Sequence, residues 1–497
     1  AVGAARGRGW ALFAAVRSGA MASRHPMLRS VLPPLLAIVG VALLVGLVYS
    51  PWYLNYDTRY ALLWAQDLVG GFSPEYEAPF APTPHPGWNA LAVLALPFGE
   101  GADDVMAGMV LLSFGAVVWL VYELGRELFH RWVGLVAALV VLTRAAMLRD
   151  VVLAYLDVTF AALILAAVLL EVRRRRRGAA VLVVLAVAGL LRPEAWALAA
   201  LYLAYLVRAG LDRRDLLRYA GLVLVAPVIW FVSDAIVTGD ALHSLHGTAA
   251  LAEENERRRS LGDVPYWTLQ YLGFTLRLPV LIGALVGIAF AFRHRIRHSH
   301  IPLVVAGLLV LGFAAGPIFG LPLIGRYMRT PSMLLAIFYG AACLGWLSLA
   351  ASRERTRWAI GGMVCIALSL VWIPPMVERL DGLKGRRDRE ARFYGGLRGI
   401  AQSAPVQAVF AACPDVTASD HRPVPYLRWW LDGEPGSVRT IEDGTSAPGA
   451  IFVTPRPSKL QRVSYGDELP ASTLPPGYVP VRGNRHWRVG AKPECRT

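Results

Sequence analysis

Apolar residues gather in eleven runs between positions 31 and 376, most of them close to 20 residues long. A helix needs roughly 20 predominantly apolar residues to cross the hydrocarbon core of a bilayer, so these runs predict membrane-spanning helices. The two shortest runs, 179–192 and 195–208, also fit a re-entrant pair. The predicted spans are 31–50, 105–124, 131–148, 152–170, 179–192, 195–208, 219–238, 278–292, 301–320, 331–350 and 357–376.

The loops between these runs alternate in charge. Loop 51–104 carries seven acidic residues against a single base, Arg59, whereas five other loops are basic. Because basic loops stay in the cytoplasm, this alternation places the tail 1–30 inside the cell and 51–104 outside. The formal net charge of +15 resides in short loops rather than on one folded face, which argues against a nucleic-acid partner. The basic loops are 126–131, 173–178, 208–214, 293–300 and 352–357.

The hydropathy falls after residue 376, and the remaining 377–497 are rich in Pro, Gly, Arg and Asp. An odd number of spans puts this segment outside the cytoplasmic membrane as a soluble domain. Short apolar runs predict three strands separated by a helix, hence a small α/β fold. Cys413 and Cys495 both belong to this domain, and whether they pair stays open, whereas Cys343 and Cys365 lie inside spans as packing residues. The predicted strands are VQAVFAAC, SVRTI and AIFVTP, and the predicted helix is PVPYLRWWLDG.

The sequence contains no Walker A loop, no HExxH or CxxC motif and no dinucleotide fingerprint. Chemistry driven by ATP and a structural zinc site are therefore not expected. His243 and His246 have a spacing that suits a metal on one helical face, although an exposed loop is the favoured interpretation.

The acidic loop 51–104 is far longer than a usual connection, and long ordered loops tend to carry function. Asp57, Tyr60 and Trp64 fall on one face of a predicted helix that ends at Gly70-Gly71, and an amphipathic helix follows within 82–99. Both helices are expected to lie on the membrane surface. Asp57 fits two roles equally well at this point, a functional carboxylate or the N-cap of its own helix.

Further ionisable residues lie at the predicted outer ends of the spans. Asp150 and Asp157 are seven residues apart, which would place them on one helical face about 10 Å apart along the axis. Asp157 needs a partner or water, since it lies within an apolar run. Arg192 and Glu194 flank Pro193 at a predicted outer turn and either serve a site or simply pair with each other.

Arg326 and Arg329 also lie at the predicted outer surface, against the positive-inside trend. Guanidinium groups suit a phosphate held at the level of the lipid headgroups, although an anchor to membrane phosphates is the simpler alternative. Together with His85 and the carboxylates, they suggest a general base beside a phosphate clamp, hence group transfer from a lipid phosphate. The run EENERRRS in loop 239–277 is interpreted either as part of a lid over such a site or as a solvated loop.

Several of these segments resemble the GT-C membrane glycosyltransferases. The likeness rests on the first outer loop opening with Asp57, the RPEAW turn, the GRYMRTP segment and the C-terminal outer domain. The run from Asp57 to Gly70, followed by PTPHPGW, is similar to the mannosyl-transferring and actinobacterial arabinofuranosyl-transferring branches. The resemblance covers most of 31–430. The expected fold is therefore an α-helical polytopic membrane protein of GT-C type, with about 11 transmembrane helices in 31–376 and an extracytoplasmic α/β domain in 377–497.

The resemblance implies an inverting hexosyl- or pentosyltransferase. Such an enzyme takes a monosaccharide from a polyprenyl-phosphate donor to a glycan, glycolipid or protein acceptor outside the cytoplasmic membrane. Asp57 would be the general base. Arg326, Tyr327 and Arg329 would bind the donor phosphate. The implied substrate-binding residues are Tyr60, His85, Asp150, Arg192 and Glu194.

The resemblance leaves a metal undecided. Asp150 matches a second acidic position that in some members holds a divalent cation (Mg, Mn or Ca) together with the base, here Asp57. It follows Arg149 rather than another acid, so no metal ligand is assigned.

Two other functions fit the topology. A secondary transporter would also place acids in spans, but it predicts inverted repeats and ionisable residues near mid-span rather than at the boundary. A noncatalytic cell-envelope assembly protein would leave Asp57 and Arg326 unexplained.

Overall fold

The computed structural model describes residues 25–442, 444, 447–458, 460–461 and 470–495, with side chains described from residue 31 onward. Within this part of the chain the fold consists of a large helical bundle and a small C-terminal sheet domain. The α-helices, numbered α1 to α19 in order, are His25–Tyr49, Tyr56–Gly70, Pro86–Ala95, Ala102–Leu128, Arg131–Leu142, Ala145–Val152, Leu156–Arg173, Ala179–Leu191, Glu194–Arg208, Arg213–Thr238, His243–Glu254, Val264–Leu276, Leu278–Arg293, His300–Ala315, Arg329–Leu344, Arg353–Leu370, Ile373–Ala401, Ala404–Ala412 and Val424–Leu431.

Apolar helices occur in all eleven predicted spans, although 131–148 extends across the break between α5 and α6 and 357–376 across the break between α16 and α17. The protein is a polytopic α-helical membrane protein. Within the described residues, five helical segments are individually long and apolar enough to cross a bilayer, or up to eight if each bent pair of helices is one span. The number eleven therefore stays a prediction. The predicted tail 1–30 lies mostly outside the described residues, although α1 already begins at His25. The two helices predicted in loop 51–104 are present as α2 and α3, and α2 ends at Gly70 as expected, with Gly71 capping it at φ 80°.

The bundle core depends on helices that approach closely at glycine. α4 packs against α1, α5 and α7, and α13 packs against α15. A Cβ atom added at Gly287 of α13 would lie 1.7 Å from the carbonyl oxygen of Phe338 in α15. Small residues allow such backbone contacts between helices where the hydrophobic effect cannot drive association in lipid.

The prediction that Asp150 and Asp157 lie on one continuous helix is wrong. The chain bends by 115° between α6 and α7, at a break that includes Ala154 with φ 55°. Asp150 and Asp157 therefore do not share a helical face. The backbone N–H of Asn55 and its side-chain amide both donate to the carbonyl of Leu153, and Thr58 Oγ1 donates to the carbonyl of Ala154, so contacts from the distant helix α2 stabilise the break.

The described part of the C-terminal domain contains strands β1 to β5, which are Val416–Ala418, Val438–Thr440, Ile451–Pro455, Val479–Gly483 and Trp487–Ala491. They form one sheet in the order β2-β1-β3-β5-β4. Strand β1 is parallel to β2 and β3, and β5 is antiparallel to β3 and β4. The segment VQAVFAAC, predicted as a strand, is helix α18, because a short apolar run does not distinguish a strand from a buried helix. The predictions of SVRTI and AIFVTP as strands and of PVPYLRWWLDG as a helix are confirmed.

A disulfide joins Cys413 to Cys495 and so ties α18 to the end of the sheet. Cys343 is free and buried inside α15. The boundary proposed at residue 376 falls inside α17, which runs without interruption from Ile373 to Ala401, and the hydrophobic core of the sheet domain begins only at Phe393.

Candidate active site

Asp57 lies in the first turn of α2, where the local hydrogen bonds fix its direction. Asn55, and not Asp57, is the N-cap of this helix, since Asn55 Oδ1 accepts a hydrogen bond of 3.0 Å from the backbone N–H of Thr58. The N-cap interpretation of Asp57 is therefore wrong. Its carboxylate instead faces a cavity of about 970 Å³ between the helical bundle and the C-terminal domain.

Arg326 brings a positive charge to this carboxylate. It belongs to the short 3-10 helix Gly325–Met328, and its Nη1 lies 2.9 Å from Oδ2 of Asp57. Its Nε lies 3.9 Å from Asp157, and its guanidinium group is 5.0 Å from the ring centre of Tyr155. The side chains of Asp57 and Arg326 are 24% and 25% exposed, so the pair remains open to a ligand in the cavity.

Arg329 has a different environment from Arg326. Its Nε donates to Asp150 over 2.7 Å and its Nη1 donates to Thr275 over 2.6 Å, while both charged residues are buried. Both Arg329 and Asp150 contribute atoms to the cavity wall. Their mutual ion pair occupies Nε of Arg329 and Oδ2 of Asp150 and supports the wall.

His85 also lines the cavity, at the start of α3. Its Nδ1 is buried without a hydrogen-bond partner in the described structure, and its ring packs edge-on against Trp230. Burial, and after it the positive charge of Arg192, lower the pKa of His85 to about 4. The imidazole is therefore neutral near pH 7.

The remaining predicted substrate-binding residues stand behind the cavity wall. Tyr60 is 2% exposed and packs in an aromatic cluster with Tyr56 and Trp64. Arg192 pairs with both Asp157 and Glu194, and the pair with Glu194 is the one that the sequence analysis gave as an alternative to a role in the site. The guanidinium group of Arg192 lies 4.2 Å from the ring centre of Tyr327. Tyr327 does line the cavity, so Arg192 borders the site through this ring, and Glu194 pairs with Arg192.

The sequence analysis did not identify the contribution of the C-terminal domain to the cavity. His421 lines the cavity, stacks on Phe80 at 4.5 Å and lies 2.7 Å from Glu442 through its Nδ1. Although burial opposes it, hydrogen bonding from His421 holds the pKa of Glu442 below its usual value. Nothing in the local pattern around His421 signals this role, because the domain fold alone brings it to the cavity.

Segment 253–260, interpreted as part of a lid or as a solvated loop, borders the cavity through Asn255 to Arg258. His243 and His246 both lie in α11, but His246 pairs with Asp240 while the His243 Nε2 contacts the carbonyl of Tyr76. Among the described residues, no group of three or more His, Cys, Asp or Glu side chains is arranged to hold a metal ion.

No protein-family model and no curated protein matches this sequence. The structure is similar to the crystal structure of ArnT from Cupriavidus metallidurans in the apo state, with a TM-score of 0.57 and 15% identity over 92% of this chain and 97% of ArnT. The fold is GT-C-like. An oligosaccharyltransferase from Archaeoglobus fulgidus, in complex with Zn and sulfate, aligns with a TM-score of 0.47 and 13% identity over 80% of this chain and 61% of its own. In this GT-C-like fold the cavity lies where the bundle meets the C-terminal domain.

Proposed function

We propose that the protein is an inverting glycosyltransferase that moves a monosaccharide from a polyprenyl-phosphate donor to a cell-envelope acceptor on the outer face of the cytoplasmic membrane. The observation that carries the proposal is the contact between Asp57 and Arg326 inside the cavity. A base and a phosphate-binding cation within one contact distance are the two groups that such a transfer needs. The GT-C-like fold supports the same conclusion, because the sequence resemblance points to that class of enzyme.

In the proposed reaction the donor phosphate takes the place of the Asp57 carboxylate at Arg326. Asp57 is then free to accept the proton of an acceptor hydroxyl. The hydroxyl oxygen forms a bond to the anomeric carbon while the bond from that carbon to the phosphate oxygen breaks on the opposite face. The electron pair leaves with polyprenyl phosphate, whose added charge Arg326 stabilises.

The contacts of the other cavity residues suggest a role for each of them. Tyr327 and the imidazole of His85 contact the donor or the sugar, and His421 contacts the acceptor from the domain side. Asp150 and Arg329 hold the wall in place. No step uses a divalent cation, because Asp150 stays paired with Arg329, and a carboxylate paired with a guanidinium group is a poor metal ligand.

The proposed topology follows the charge pattern. The tail 1–30 and the basic loops are cytoplasmic, whereas loop 51–104 and the domain 377–497 are outside. The cavity then opens at the outer boundary of the bilayer, where a polyprenyl-phosphate sugar presents its head group. Residues 31–376 form the catalytic transmembrane domain in this proposal.

The test is sugar transfer by purified protein in lipid, supplied with a panel of polyprenyl-phosphate sugars and a cell-envelope extract. Asp57→Asn keeps the size of the side chain and a hydrogen bond to Arg326 but lacks the base, so we expect normal insertion, retained donor binding and lost transfer. Asp104→Asn, in the same loop and exposed, is the matched control and should keep full activity. Full activity of Asp57→Asn would overturn the assignment of the base. Consumption of no donor by the wild type would favour a transporter or an assembly protein.

A further inference from the structure

A second cleft, of about 420 Å³, lies between helices α5, α13, α15 and α16 and has no part in the proposed reaction. Its sides are apolar. Val136, Leu139, Val140 and Thr143 follow one face of α5 along about 10 Å of helix axis. The polar groups of the facing helices satisfy each other, since the hydroxyls of Tyr339 and Ser369 share a hydrogen bond.

Three arginines stand at one end of this cleft, Arg144, Arg277 and Arg379. None of the described residues that line the cleft is acidic. Arg144 donates to neutral acceptors alone, among them the carbonyls of Val140 and Leu276. Arg379 lies close enough to act on Arg144 by electrostatic repulsion. A concentration of positive charge without a carboxylate favours an anionic ligand.

Arg277 lies at this end of the cleft in a strained backbone conformation. It separates α12 from α13, which meet at 100°, and it has a φ of 73°, a conformation that side chains other than glycine rarely adopt. Its guanidinium group lies 5.1 Å from the ring centre of Phe274. Strain retained at a residue whose side chain lines a cleft is typical of a binding site.

The cleft opens toward lipid rather than toward water. Leu370, Trp372 and Ile373 contribute to its rim and are 57%, 45% and 44% exposed. Exposed apolar side chains on a membrane helix face hydrocarbon, and tryptophan is enriched at the level of the headgroups. A ligand that enters from this side has a hydrocarbon chain.

We propose that this cleft binds an anionic phospholipid, with its phosphate against Arg144, Arg277 and Arg379 and one acyl chain along the face of α5. This site is separate from the donor site at Arg326. The ion pair of Arg329 with Asp150 lies in the wall between them, because Arg329 also donates to Thr275, which lines the cleft. The proposal does not depend on the transferase activity.

The test is photolabelling of full-length protein in phosphatidylcholine nanodiscs, with phosphatidic acid carrying a photoreactive acyl chain as the probe and diacylglycerol with the same chain as its neutral counterpart. We expect phosphatidic acid to label peptides from α5 or α16 at least fivefold more strongly than diacylglycerol. The double variant Arg277→Gln, Arg379→Gln should lose most of this labelling. The matched control Arg295→Gln, Arg297→Gln changes two exposed arginines beyond the other end of α13 and should keep it.

Three results would overturn the proposal: equal labelling by the neutral lipid, wild-type labelling of the double variant, or adducts that map outside the cleft. Competition by inorganic phosphate at millimolar concentration as strong as that by unlabelled phosphatidic acid would show that the site binds the free anion instead. The map of adducts in the wild-type protein decides the matter even if the double variant does not fold.

Discussion

Arg326 donates a hydrogen bond of 2.9 Å to the carboxylate of Asp57, across 269 positions of sequence. The contact joins the first turn of α2 to the short 3-10 helix before α15. In this state each group satisfies the charge of the other, so a bound phosphate must compete with Asp57 for Arg326. Donor binding and release of the base are therefore coupled in the proposed reaction.

Replacing Arg326 should impair transfer more than folding. Arg326→Gln removes the charge that stabilises the leaving phosphate, and loss of one such group typically costs about a hundredfold or more in rate. Arg326→Lys keeps the charge but loses the planar fork, so its activity should be intermediate. Steady-state transfer with donor titration measures both effects. Arg218→Gln, which changes a largely exposed arginine, should behave as wild type, and an active Arg326→Gln enzyme would remove Arg326 from the mechanism.

Asp150 should prove important for stability rather than for substrate binding. Asp150→Ala leaves the buried guanidinium group of Arg329 without its carboxylate, a change that typically costs about 3–5 kcal/mol. The double variant Asp150→Ala, Arg329→Met should recover part of this loss, because it removes the unpaired charge. Thermal unfolding in detergent measures the effect, with the exposed Asp104→Asn as control. Normal stability combined with a raised KM for the acceptor would instead support direct substrate contact.

Local pattern was sufficient to predict the apolar runs of the bundle and the end of α2 at Gly70-Gly71, because hydropathy and glycine caps act within a few residues. It did not predict α11 and α12, which lie in the segment 239–277 that the sequence analysis treated as a loop. It failed at residues 153–155. That segment has no proline or glycine, and its break is held by hydrogen bonds from Asn55 and Thr58, almost a hundred positions away. Such tertiary contacts leave no local signal.

Some residues of the candidate site could likewise be predicted from the sequence, and others could not. Asp57, Arg326 and His85 could be proposed from the sequence, since charged groups at a membrane boundary are costly and so conspicuous. His421 could not, because it reaches the cavity only through the docking of the C-terminal domain. The sequence also could not show that Arg326 and Arg329, three positions apart, have different environments. Only the structure shows that Arg329 donates to Asp150 and Thr275.

Arg428 should control the docking of the C-terminal domain on loop 51–104. Its guanidinium group is 2% exposed and donates to both Asp67 and Glu75 of that loop. Burial raises the pKa of both carboxyl groups, with Arg428 opposing the shift. Arg428→Met should therefore cost about 3 kcal/mol or more and expose the interface to limited proteolysis.

The control for Arg428→Met is Arg439→Met in the same domain. Arg439 pairs with Asp415 at the surface, where the two side chains are 43% and 41% exposed, so its loss should cost less than about 1 kcal/mol. Equal proteolysis of the two variants would show that the buried pair does not hold the domain.

His85 should make the folded state sensitive to acid. Its pKa is about 4 in the folded protein, mainly because of burial, against about 6.5 when exposed. Between these values the unfolded chain binds the proton and the folded protein does not, so stability is present above pH 6.5 and is lost as the pH falls toward 4. His85→Gln cannot titrate and should lose less stability over the same interval. Thermal unfolding of both proteins at pH 7, 6, 5 and 4.5 measures the difference, and parallel pH profiles would show that His85 does not contribute to it.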